Sequence, residues 1–245
     1  YFDGISTVAQ TIQTNTESFF NNVNINRTGS NKTVTLNTAI TIKRTLDFSE
    51  NNAVLNMNGR NMRIGGDFNF RKGCTFTHGG GKVFFNGNDV AQLIRNFGTS
   101  IVVFRDVEFV GTAVKRLYDN SFKFEGSVYI NNTTVDGQSW NHYVEGDWIN
   151  QGIFRHSATM YFNGARNQNI SQSNFYSVRF GGGNYLKTLS GNITCAGDVV
   201  IDNATLDVSP ANFSITLDNN WKNDSTGSFI ARQGTVTING EYSYI

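Results

Sequence analysis

Apolar and polar residues alternate along this chain in short runs. Ile40, Ile42, Leu46 and Phe48 form one such run, Phe122, Phe124, Val128 and Ile130 a second, and Ile193, Cys195, Val199 and Ile201 a third. A period of two predicts β-strands with one buried face. Between the runs lie turn formers such as Asn58-Gly59 and Gly79-Gly80-Gly81. No useful length of chain carries apolar residues at a 3.6-residue period, so a parallel sheet linked by helices is not expected.

The same runs recur in the same order. A tripeptide anchors the comparison: Phe2-Asp3-Gly4, Phe85-Asn86-Gly87, Phe162-Asn163-Gly164 and Ile238-Asn239-Gly240. After it comes Gln with Ile two residues on, at Gln10 and Ile12, Gln92 and Ile94, Gln168 and Ile170. An aromatic follows an acid or amide near the end of each copy, at Phe68, Trp148 and Trp221. Repeats of about 2–84, 85–161 and 162–237 are therefore expected, with 238–245 opening a further one. The glycines Gly4, Gly87, Gly164 and Gly240, with the three recurring aromatics, are read as structural anchors.

Short strands with sparse hairpin dipeptides between them, and repeat borders without a linker, point to one continuous all-β domain over 1–245. The expected fold is a parallel β-helix, or β-solenoid; tandem β-sandwich modules are the alternative. At about 20–25 residues per coil and about 4.8 Å between coils, each repeat would make about three coils and the whole a rod of about 45–50 Å. The chain opens on one anchor and closes just past another, as expected of a window on a longer array. Asparagine is expected at coil corners, bonding to the asparagine of the next coil and tolerating the left-handed conformation.

Composition sharpens the picture. There are 33 asparagines and 20 phenylalanines, only one proline, and 16% charged residues against about 25% in an average domain. A net charge of +1 gives no electrostatic reason to expect nucleic acid, and no apolar run is long enough for a membrane helix. Candidate chemistry is sparse. Asp202, Asp207 and Asp218 come nearest to the paired carboxylates of glycoside hydrolysis, but their spacing and neighbours read as surface turns. His78 and His156 each stand two residues after a matching phenylalanine, which with His142 reads as structural; no metal or cofactor is expected. Cys74 and Cys195 fall in different blocks and are expected as free, buried thiols. Trp140 and Tyr143, where the middle repeat departs from the third, are candidate glycan contacts. Nine Asn-x-Ser/Thr sequons are expected by chance in so asparagine-rich a chain.

The run Gly146-Asp147-Trp148-Ile149-Asn150-Gln151-Gly152-Ile153-Phe154, then Met160-Tyr161-Phe162-Asn163-Gly164, then Gln168-Asn169-Ile170 resembles the repeat regions of very large Bacteroidota surface proteins exported by type IX secretion. Gly66-Asp67-Phe68 lacks the Trp, and Asn220-Trp221 matches less well. The resemblance implies a non-catalytic stalk or filament of an extracellular, cell-surface adhesin, serving adhesion or gliding motility. Its partners would be neighbouring repeats of a longer chain and a surface polysaccharide, without nucleic acid or membrane insertion. Asp224-Ser225-Thr226 is similar to the O-glycosylation site of that group, which makes Ser225 a candidate. The alternatives are a polysaccharide-acting β-helix (lyase, hydrolase or tailspike-like) and a carbohydrate-binding module.

Overall fold

The structure, a computed structural model, describes residues 2–5, 10–13, 18–28, 33–49 and 52–240. It is all-β, with 34 strands and no helix among the described residues. Paired strands are always parallel and three places apart in the chain, and only β11 with β14 and β22 with β25 fail to pair among the described strands. The chain thus winds through three faces per turn. One face starts at β1 (Phe2–Ile5), the second at β2 (Gln10–Ile12) and the third at β3 (Ser18–Phe20). This is a parallel β-solenoid of about ten turns, a rod on the order of 50 Å by strand spacing. No antiparallel pair occurs among the described strands, which excludes tandem sandwiches.

The alternation in the sequence is the alternation of the walls. Strands β6 (Ile40–Ile42), β17 (Phe122–Phe124) and β28 (Ile193–Cys195) each bury their first and third residues and turn the second outward. The inward residues of all three faces merge into one apolar column running from Ile12 to Trp221. Phenylalanines stack coil on coil within it, as in Phe85 with Phe109 (5.7 Å, 15°) and Phe162 with Phe180 (5.8 Å, 17°). Cys195 stands in register between Phe175 and Leu217 as a small apolar filler; neither cysteine is in a disulfide, and Cys74, expected buried, is only half-buried.

The blocks matched in the sequence lie eleven strands apart. The anchors fall at β1, at β12 (Val83–Phe85), at β23 (Thr159–Phe162) and at β34 (Val236–Ile238). The aromatics open β10 (Phe68–Phe70), β21 (Trp148–Asn150) and β32 (Trp221–Asn223). Eleven strands are three and two-thirds turns, which corrects the expectation of about three coils per repeat. The extra two-thirds has a geometric consequence. Each repeat rises about 18 Å by strand spacing and moves its features round by one face. The anchor returns to its starting face only after three repeats, at β34.

Asparagines do occupy the corners, but they bond differently from the expectation. The Oδ1 of Asn61 accepts the N–H of Lys82, that of Asn167 the N–H of Leu186, and that of Asn192 the N–H of Ser214. Each side chain thus ties the backbone of the coil above rather than its asparagine. The corner after β8 (Val54–Asn56) shows the local logic: Asn56 Oδ1 accepts the N–H of Asn58, whose φ is 49°. Asp136 with Gln138 and Asp207 with Ser209 repeat it eleven and twenty-two strands on.

Candidate functional site

The recurring motifs meet at one kind of corner, and it is polar and buried. Gln92 and Gln168 point inward, with their side-chain oxygens accepting the N–H of the anchor glycines Gly87 and Gly164, both at 3.0 Å. Their amides donate down to the coil below, Gln92 to Ile64 O at 2.7 Å and Gln168 to Val144 O at 3.0 Å. The carboxylates of Asp67 and Asp147 accept the N–H groups of Leu93 and Asn169, both at 2.8 Å. Gly87 is required because a Cβ there would stand 2.8 Å from Gly65 O of the coil below. The Gly-Asp-aromatic, anchor and Gln-x-Ile motifs are therefore parts of one stacking device.

A lysine completes it. Lys115 and Lys187 sit one coil above Gln92 and Gln168, in register with them and fully buried. Lys115 Nζ donates to Gly87 O (2.8 Å) and Ala113 O (2.7 Å). Lys187 Nζ donates to Gly164 O (2.7 Å), Arg166 O (3.0 Å) and Gln168 Oε1 (2.7 Å). Burial pushes both amines down to about 8. Both remain charged at neutral pH, and the carbonyl cradles favour that form. In the first repeat Val34 takes the lysine's place beside Gln10, and Gln10 Oε1 is buried without a partner among the described residues. The sequence reasoning missed these lysines. Their signal was a lysine at an inward position of an alternating strand, recurring eleven strands on.

Comparison with protein-family models, with curated proteins and with solved structures returns no match.

The residues singled out from the sequence do not converge. Asp202, Asp207 and Asp218 lie on, or just after, strands of three different faces. Asp207 is held by Arg232 through two bonds of 2.6 and 2.8 Å, and that guanidinium keeps its carboxyl below the usual range. Asp202 pairs with Arg179, and Asp218 accepts from Asn239 at 3.2 Å. His78 Nε2 faces Glu125 at 3.1 Å. His142 is fully buried, accepting the N–H of Phe122 and donating to Gly137 O at 2.8 Å; burial pushes it down to about 4. His156 accepts the N–H of Tyr176, while its Nε2 is buried without a partner. Burial first, and then nearby His142, push it down to about 3.

Trp140 is an exposed corner residue. Tyr143 stacks on Tyr161 at 4.9 Å and 24°, so one face of its ring is already covered. Ser225 is exposed in the turn after β32, beside an Asp224 that pairs with Lys222 at 3.0 Å.

The ladder breaks at two corresponding places, one in the first repeat and one in the second. β11 (Thr75–Thr77) and β22 (Ile153–Arg155) end their sheets there, and they, like their counterpart β33 (Ser228–Ile230), turn only the central phenylalanine inward. Those rings, Phe76, Phe154 and Phe229, meet Phe68, Trp148 and Trp221 edge-on at 5.9, 4.8 and 4.8 Å. The next strand on the face, β14 (Val102–Phe104) or β25 (Ser173–Phe175), starts a new sheet.

Proposed function

We propose that this solenoid is a non-catalytic spacer: a rigid stalk segment of a large secreted cell-surface adhesin, with its repeats continued by others in a longer chain. The observation that carries the reading is where the repeated positions spend their chemistry. Glutamine, lysine, aspartate and glycine of the shared motifs all bond to backbone of adjoining coils, and the aromatics pack in the core. What recurs is what stacks coils. The resemblance to type IX-secreted Bacteroidota repeats adds export to the cell surface, and a role in adhesion or gliding.

Two measurements test it. Electron microscopy of chains carrying one, two and three tandem copies is expected to show rods that lengthen without bending, by about 18 Å for each eleven-strand repeat. The purified chain is also expected to release no reducing or unsaturated ends from polysaccharides. Flexible beads in place of rods, or turnover of a polysaccharide, would overturn the proposal.

A further inference from the structure

The second ladder break holds a cleft that the stacking device does not use. Between β22 and β25 a depression of about 250 Å³ opens on the wall, lined by Asn150, Ile153, Gln172, Asn174, Asn192 and Thr194 among others. No ionisable side chain lines it. Ile153 contributes an apolar patch, 49% exposed where most strand openings are buried.

Several of these polar groups are unspent. Asn150 is committed within the fold: it donates to Ser173 Oγ at 2.9 Å and accepts the N–H of Gly152. Asn174 Oδ1 accepts from Thr194 at 2.6 Å and Asn192 Oδ1 from Ser214 at 2.8 Å, which fixes both amides with their Nδ2 groups left over. The Gln172 side chain makes no bond within the described residues. Amide donors held in place by their own acceptor bonds, beside an apolar patch and without charge, suit a ligand rich in hydroxyls.

We propose that this cleft binds a neutral polysaccharide, seating one or two sugar rings while the chain runs on along the wall. The cleft is small and open, which suits a segment of a long polymer better than an enclosed small molecule. An acidic glycan would find no cation in the lining. An added peptide strand has no room, because β22 and β25 stay neighbours within 8 Å, Cα to Cα; a third strand between them would need about twice the 4.8 Å spacing. The site stands whether or not the solenoid serves as a stalk. It is also separate from the Trp140 corner, at the other end of the strand.

Saturation-transfer NMR and calorimetry of the whole chain would test it with a panel of neutral gluco-, manno- and galacto-oligosaccharides. Uronate oligosaccharides form the charged arm, and a short β-strand peptide the protein arm. At least one neutral member is expected to bind at millimolar concentration. Asn174→Ala with Asn192→Ala should weaken it by about tenfold or more, with the circular dichroism spectrum unchanged and melting lowered only slightly by the lost tie from Asn192 to Ser214, while Trp140→Ala leaves it intact. Silence across the neutral panel would overturn the proposal. So would a preference for uronates or peptide, or binding that survives the double substitution or disappears with Trp140→Ala.

Discussion

The first and second ladder breaks begin from the same local event and end differently. In both, a strand that ends its sheet turns a lone phenylalanine inward against an aromatic one strand earlier in the chain. At the first break a longer loop is tied across the corresponding corner. The coil there is the longest, 26 residues between register partners Phe68 and Ile94, and the buried Asn96 organises the loop that follows. Its Oδ1 accepts the N–H of Gly98, and its amide donates to Ser100 O and Ser121 O. Phe97 N–H bonds back to Phe70 O. The positions that correspond to Asn174 and Gln172 are Val103 and Ile101. At the second break there is no such loop, and amides and hydroxyls line the cleft beside Ile153 and Phe154. The same break in the stack can thus carry a tied loop or a polar cleft through a change of a few residues, with the scaffold unchanged.

The largest test of that comparison is removal of the aromatic wedge. Trp148→Ala is expected to cost about 3–5 kcal/mol and Phe68→Ala somewhat less. Both rings pack on several others, so the difference arises because Trp148 also donates Nε1–H to Ser173 Oγ at 2.7 Å, a bond Phe68 cannot make. Solenoids lose stability locally, so the readout is native-state hydrogen exchange rather than one melting midpoint. Protection should fall on the coils around the substituted break and persist at the other. Uniform loss across the rod would show that the breaks do not delimit independent units.

Acid should separate the two breaks next. His142 and His156 are held neutral in the folded chain, at about 4 and about 3 against 6.5 for the free side chain. Between those values the unfolded state binds more protons, so stability is full above about pH 6.5 and falls as the pH drops towards 4. For His142 alone the loss is about 3 kcal/mol. Hydrogen exchange at pH 5 is expected to open the coils from β20 (His142–Val144) to β25 before those around β11. His142→Gln should flatten the dependence. A pH-independent exchange pattern would refute it.

The buried lysines give a smaller step. Lys187→Met leaves three oxygens without their donor and Lys115→Met two, so losses of about 2 kcal/mol are expected, larger for Lys187. The Gln10 corner, where Val34 already stands, shows that a coil survives such an orphan. Asn96→Ala comes next, at about 1–2 kcal/mol, with faster exchange confined to residues 97–101. If that loop stays protected, Asn96 is not what ties it down.

These cases also show what the sequence could reveal. The alternation made the strands, the parallel wall and the common order of blocks readable, because burial of one face imposes a period of two on every copy. The turn count was not readable. Eleven strands and three coils per repeat differ only in which strands stack, and pairing three places along the chain leaves no mark in a single sequence. Lys115 and Lys187 stayed hidden because lysine in a strand normally points outward; only the register reveals the carbonyls around Nζ. The cleft was invisible for a similar reason. Asn150, Gln172, Asn174 and Asn192 belong to three successive coils, and in a chain with 33 asparagines none stands out.

The finest test concerns Ile153. It opens β22 at the place where Thr75 opens β11. Were it part of the core, Ile153→Thr would cost more than about 1 kcal/mol, as large-to-small changes in cores do. Its side chain is half in solvent, so the change should lie within about 0.5 kcal/mol of zero. Exchange protection across β21 to β25 should be indistinguishable from that of the parent chain. A clear loss would place Ile153 in the scaffold rather than in a binding cleft. Unchanged stability would leave an exposed isoleucine that the fold does not need, in the cleft beside the second break.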